Sequence, residues 1–196
     1  GRGTMDKINH AHAFGGVEMT INTVQNFLNI PIDHYVLVNL NGFETVVDAL
    51  GGVTVENTMA FSLDGFDFPV GTISLNGEEA LAYARMRYED PEGDFGRNRR
   101  QRNLVTAMAK KALSLEGILN YQSILDSLRD NMQTDLTLQD LTTLVLSYRQ
   151  CAESISQYDT LPGVGKTIDG VWYWIPNEEE VSKISSELRQ HLELSN

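Results

Sequence analysis

Apolar residues Val17, Ile21, Val24, Phe27 and Leu28 recur at helical spacing and stop short of Pro31, which predicts a helix with one face on a core. The Gly15-Gly16 pair marks its expected start. Residues 34–40 hold a short apolar run, Tyr-Val-Leu-Val-Asn-Leu, whose length and β-branched content predict a central strand buried on both sides. Asn41 followed by Glu44 has the spacing of a helix cap, and Phe43, Val46, Val47 and Leu50 then lead to a glycine stop at Gly51-Gly52. Residues 52–56 read as another strand, and 57–72, which lack a clear period, as a long connection containing a hairpin. Asn76 with Glu79 repeats the cap spacing ahead of a helix over 77–87. Further helical patterns cover 95–113, 119–128 and 138–148, the last with Thr137 and Asp140 at cap spacing. Residues 154–161 and 167–175 read as strands, and Asn177-Glu-Glu-Glu opens a final helix. Helices and strands alternate, which favours an α/β layered fold, and 196 residues with 41% hydrophobic content suit one domain spanning 1–196.

Charge narrows the function. The formal net charge is −12, which opposes broad electrostatic binding to nucleic acid, because neutralising phosphates takes a basic face. Yet ten of the fifteen basic residues are arginine, and six of those ten lie between Arg85 and Arg102 beside only four acids. That window is net +2 in a chain whose remainder carries −14, an asymmetry that concentrates an anionic ligand in one place. The six arginines of this segment concentrate planar donor forks that suit phosphate or pyrophosphate. A helix beginning near Gly96 would add its free N–H groups to the same anion, with Arg97, Arg100 and Gln101 on one face. The plain alternative is a solvated loop whose arginines are neutralised by Glu89, Asp90, Glu92 and Asp94.

Other motifs fall away on chemistry. Asp90, Glu92 and Asp94 alternate as calcium-loop ligands do, but Phe95 stands where that loop needs glycine and Gln101 where it needs its closing glutamate. Residues 160–167, Thr-Leu-Pro-Gly-Val-Gly-Lys-Thr, imitate a phosphate-binding loop without its first glycine and lead into a β-rich run instead of a helix. His10 and His12 find no third metal ligand nearby. Cys151 is alone, which rules out an internal disulfide, and it reads as a small buried or half-buried residue. Trp172, Tyr173 and Trp174 read as core and rim of a strand. No run of about 18 apolar residues occurs, so this chain holds no expected membrane span or export signal.

Several blocks together resemble one family. Asp6-Lys-Ile-Asn-His-Ala, Ile30-Pro-Ile-Asp-His-Tyr, Val47-Asp-Ala-Leu-Gly-Gly-Val, Leu75-Asn-Gly-Glu-Glu-Ala-Leu-Ala-Tyr-Ala-Arg85 and Gly93-Asp-Phe-Gly-Arg97 through Arg100-Gln101 are similar, in order and spacing, to the LytR-CpsA-Psr domain. The match is specific over about residues 6–111 and only general beyond. It implies a three-layer α-β-α sandwich with a mixed central sheet, here lacking the family's N-terminal third. It further implies a bacterial envelope enzyme, a phosphotransferase that moves a polyprenyl-pyrophosphate-linked glycopolymer, of teichoic acid or capsule type, onto a peptidoglycan acceptor. By resemblance, Arg85, Arg87 and Arg97 are the catalytic arginines, and with Gln101, Arg100 and Asp94 they hold the pyrophosphate. Magnesium is expected in the intact protein on aspartates absent from this chain, which supplies no metal ligand. The intact protein is expected at the extracellular face of the cytoplasmic membrane, held by an anchor this chain lacks. Two other functions remain open: a polyprenyl-pyrophosphate-binding module without turnover, and a transcriptional regulator, the latter opposed by the net charge and the lack of a helix-turn-helix with a basic surface.

Overall fold

The structure is a computed structural model and describes residues 6–114 and 132–194. The chain divides into two compact units, one formed by Gly1–His34 with Tyr158–Asn196 and the other by Tyr35–Gln157. Among the described residues, no helix is long and apolar enough to cross a membrane.

In the first unit, helix α1 spans His10–Leu28 and is interrupted where Gly15 and Gly16 leave helical geometry. Gly16 has φ +61°, ψ −152°, a region open to glycine alone, so the pair breaks a longer helical segment instead of starting one. The helix ends at Asn29 in the left-handed region, and the carbonyl of Asn29 accepts a hydrogen bond from Arg189 Nη1 at 2.9 Å. Strands β7 (Gly163–Ile168) and β8 (Val171–Pro176) form an antiparallel hairpin around an Asp169-Gly170 turn with positive φ at both positions. The phosphate-loop imitation lies mostly in β7, consistent with its rejection. The expected single strand at 167–175 is thus two strands, and residues 154–161 form none. Trp172 is half-exposed and lies against the backbone of Gly165, while Trp174 donates from Nε1 to Leu161 O at 2.9 Å. Helix α6 (Glu178–His191) is capped by Asn177, whose side chain accepts from the N–H groups of Glu179 and Glu180.

The second unit holds the core. Strand β1 (Val36–Val38) is shorter than expected and pairs with β6 (Met132–Thr134), and Val36 is exposed, so this is not a strand buried on both faces. Helix α2 (Leu40–Ala49) is capped by Asn39, not Asn41: Asn39 Oδ1 accepts from Gly42 N at 2.7 Å. Strand β2 (Val53–Asn57) alternates buried and exposed positions and pairs along its whole length with β5 (Gly71–Leu75), a strand not expected from the sequence, which starts at the end of the aperiodic stretch. Between them β3 (Phe61–Leu63) and β4 (Phe66–Phe68) form the expected hairpin. Helices α3 (Gly77–Arg85), α4 (Asp94–Ala112) and α5 (Leu138–Ser147) follow, the last leading into a 3-10 turn at Arg149–Glu153 on which Cys151 is exposed, not buried. The helix expected at 119–128 lies outside the described residues.

The α/β class holds. The described strands pair as four antiparallel two-stranded ladders, where the resemblance implies a mixed central sheet. Each described strand has one ladder partner, so no strand is interior to a wider sheet among these residues. The core lies between β2, β3 and β4 on one side and α3 and α4 on the other: Val47, Val53, Val55, Phe61, Phe68, Leu75, Ala80, Tyr83, Met86 and Leu104 are buried together. Phe61, Phe68 and Tyr83 form a ring cluster with centroids 4.7–5.7 Å apart. Buried Asn57 closes it, donating from Nδ2 to the carbonyls of Met59, Phe68 and Pro69 at 2.7–3.1 Å.

Two contacts fix where α3 starts. Asn76 and Glu79 form a reciprocal capping box, and Asp48 Oδ1 accepts from Gly77 N at 2.7 Å, tying α2 to the first turn of α3. Asn76→Ala is expected to cost about 1 kcal/mol of stability, read from the urea midpoint. An unchanged midpoint would mean that Asp48 alone holds this terminus.

Candidate functional site

Residues 85–101 run from the last turn of α3, through a short loop, into the first two turns of α4. Gly93 has φ +54°, ψ −118°, which turns the chain sharply enough for α4 to begin at Asp94, one residue before the helical pattern at 95–113. The segment therefore folds back on α3, and its basic residues divide into two groups.

One group anchors. The side chains of Arg100 and Asp90 are only 7% and 3% exposed, with Nη1 2.5 Å from Oδ2. Arg100 also donates from Nε to Tyr83 O at 3.3 Å and from Nη2 to Met86 O at 2.5 Å, and its guanidinium lies over the rings of Phe61 and Tyr83 at 5.5 and 6.0 Å. The acceptors are main-chain carbonyls at the C-terminal end of α3, groups that the helix itself leaves without partners. Gln101 behaves alike, donating from Nε2 to Ala84 O at 3.2 Å. Burial pushes the Asp90 carboxyl upward, but the hydrogen bonds from Arg100 and from Glu92 N, with the charges of Arg100 and Arg99, outweigh it and hold the group below the ordinary aspartate range. Arg100 thus sits at the back of the segment with a carboxylate of its own, and the expected face of Arg97, Arg100 and Gln101 is split between two tasks.

The other group faces outward. The side chains of Arg85, Arg87 and Arg97 are 32–59% exposed. Arg87 Nε and Arg97 Nη2 each lie 2.9 Å from the same oxygen, Asp94 Oδ1. These are ionic contacts more than aligned hydrogen bonds. Arg87 also lies over the ring of Tyr88 at 5.7 Å. Arg85 reaches the β3–β4 turn, with Nη1 3.4 Å from Asp64 Oδ2. A cavity of about 290 Å³ lined by Glu56, Asn57, Tyr83, Asp90, Arg99 and Arg100 lies on the anchoring side, and none of Arg85, Arg87, Arg97 or Gln101 lines it. The arginines that could meet an anion are therefore partly exposed side chains that take no part in lining this cavity.

Sequence reasoning missed Asp64 and the division of labour. An Asp-Gly pair between two short apolar runs signals a turn, but nothing local shows that this turn meets Arg85. Nothing local marks Asp90 as buried or Gly96 as the residue that leaves room for it; a Cβ at Gly96 would fall on the Asp90 carboxyl group. His10 lies 3.0 Å from Asp6 and edge-on to Phe14. Among the described residues, no group of three or more His, Cys, Asp or Glu side chains could hold a metal ion.

Known proteins resemble this chain in sequence and in fold. A Halalkalibacterium halodurans protein named polyisoprenyl-teichoic acid--peptidoglycan teichoic acid transferase TagU is 52% identical over all of this chain, which spans 64% of that protein's length. A crystal structure of an Enterococcus faecalis protein, described as a transcriptional regulator, superposes with a TM-score of 0.92 at 44% identity, covering 100% of this chain and 72% of that one. TagT bound to LIIa-WTA matches with a TM-score of 0.83 at 31% identity over 98% of this chain and 74% of that one. The model of the LytR_cpsA_psr family matches residues 1–190, and the chain belongs to that family.

Proposed function

We propose that this chain carries the pyrophosphate-binding part of an envelope glycopolymer transferase, a phosphotransferase that moves a polyprenyl-pyrophosphate-linked polymer of teichoic acid type onto peptidoglycan. The observation that carries this reading is the convergence of Arg87 and Arg97 on one oxygen, with Arg85 nearby in sequence, on the open face of an otherwise acidic protein. The names of the relatives supply the substrate class. The chain spans 64% of the Halalkalibacterium halodurans relative's length, and the whole activity is proposed for a protein of that full length. We place that protein at the outer face of the cytoplasmic membrane, where lipid-linked polymer and peptidoglycan meet.

Transfer joins an acceptor hydroxyl oxygen to the polymer-side phosphorus and breaks the bond from that phosphorus to the bridging oxygen, and the hydroxyl proton leaves to solvent or a base. The bridging oxygen departs on polyprenyl phosphate, which gains negative charge as the bond breaks. Arginine forks placed beforehand around that oxygen stabilise the charge where it develops, and fixed donors need no reorganisation at that moment. Arg85, Arg87 and Arg97 have the exposure this requires. Arg100 and Gln101 act behind them by fixing the end of α3. Among the described residues no group of three or more potential ligands occurs, and the acid within the arginine group, Asp94, is held by two guanidiniums. Magnesium, which the resemblance implies, is assigned no ligand here.

Binding of a polyprenyl pyrophosphate, with and without magnesium, to the wild-type chain and to an Arg87→Ala/Arg97→Ala variant tests the proposal. Two charge-assisted contacts of roughly 1.5–3 kcal/mol each predict at least a 100-fold loss in the variant. Equal binding by both proteins would refute the site.

A further inference from the structure

Asp94 is an odd component for an anion site. A carboxylate next to a phosphate repels it, and simple charge counting predicts that removing Asp94 strengthens binding. Its geometry argues the reverse. One oxygen, Oδ1, holds Arg87 through Nε and Arg97 through Nη2, each at 2.9 Å, and Asp94 is itself fixed in the first turn of α4. The two arginines come from different elements, Arg87 from the loop after α3 and Arg97 from α4, with one carboxylate as the link between them. The contact uses Nε of Arg87 and Nη2 of Arg97, so both Nη groups of Arg87 and the Nε and Nη1 of Arg97 lie outside it. Without this bridge, two like charges on long side chains repel and each gains rotamer freedom, which a ligand must then remove on binding.

We infer that Asp94 is a positioning residue: it pairs Arg87 with Arg97 before an anion arrives and does not itself bind the substrate. The inference rests on the proposed pyrophosphate site and concerns how that site is built. It redefines a residue that the sequence reading grouped with the pyrophosphate ligands.

The test titrates inorganic pyrophosphate calorimetrically into the wild-type chain and into the Asp94→Asn, Asp94→Glu and Arg87→Ala variants, with thermal unfolding recorded for each. Positioning predicts about tenfold weaker binding by Asp94→Asn, most of the affinity restored in Asp94→Glu, and a melting temperature near wild type, since the three side chains are partly exposed, though Oδ1 itself is covered by the two guanidiniums, and ion pairs between partly exposed side chains contribute about 0–1 kcal/mol. A merely structural role would move the melting temperature together with the affinity. Tighter or unchanged binding by Asp94→Asn, while Arg87→Ala binds more weakly than wild type, overturns the positioning role and leaves the anion site standing. Equal binding by wild type and Arg87→Ala, or none by either, removes the anion site itself and the Asp94 inference with it.

Discussion

Arg100→Ala is expected to destabilise the protein by about 3–5 kcal/mol, more than any single change among the outward-facing arginines. Breaking a buried ion pair from one side leaves the other charge desolvated and alone. Here that charge is Asp90, whose side chain is almost wholly inside the protein, and the carbonyls of Tyr83 and Met86 lose their donor as well. Asp90→Ala should cost a similar amount by stranding the guanidinium. The double variant should cost far less than the sum, because each single change already removes the same interaction. Urea unfolding of the three variants measures this, and additive losses would show that the pair is not coupled. Arg100→Lys should rescue little, since one ammonium cannot meet Asp90, Tyr83 O and Met86 O in the planar arrangement that a guanidinium spans. The pair also carries a pH signature. Asp90 is held below its unfolded value, so its stabilising effect is complete above about pH 4 and is lost as pH falls through the lower folded value. The stability difference between wild type and Asp90→Asn should therefore shrink on acidification below about pH 4. A difference that stays flat from pH 6 to pH 3 would rule this out.

Gly96→Ala should be destabilising by about 3 kcal/mol or more, against the usual direction. In a helix interior, alanine is normally favoured over glycine by about 1 kcal/mol, and Gly96 lies within the first turns of α4 in ordinary helical geometry. A Cβ at this position would fall on the carboxyl group of Asp90, overlapping both oxygens and Cγ. The side chain cannot yield, because it is buried and held by Arg100 and Glu92 N. The methyl group must displace a buried charge from its partner, which combines overpacking with the loss of an ion pair. In an Asp90→Ala background the penalty should vanish or change sign. A stable Gly96→Ala protein would mean that the carboxylate has another place to go.

Much of this was legible before any coordinates. The capped starts of α3, α5 and α6 are local devices, three or four residues long, and Asn76-Glu79, Thr137-Asp140 and Asn177 all do what their spacing predicts. The concentration of arginine on one segment was visible as well. What stayed hidden depends on partners far along the chain. Strand β5 alternates over only a few residues, too few to announce it, and exists because β2 offers a ladder 14 to 22 residues earlier. Asn39 caps α2 in place of Asn41 because the helix begins one turn sooner than its apolar period. Arg97, Arg100 and Gln101 share a helix face by spacing, yet a face does not say which side chain turns toward the α3 carbonyls and which toward solvent. That depends on Asp90 and Asp94, two acids four residues apart with opposite fates: one is sealed in with Arg100, the other is half-exposed between Arg87 and Arg97.

The anchoring residues grip α3 through its main chain: Arg100 and Gln101 hold the carbonyls of Tyr83, Ala84 and Met86. Every amino acid presents the same carbonyl, so this attachment does not read the side chains at positions 85 and 87. Those two positions are consequently decoupled from foldability, and a library randomised at 85 and 87 should yield mostly well-folded proteins that differ in which charged headgroup they accept.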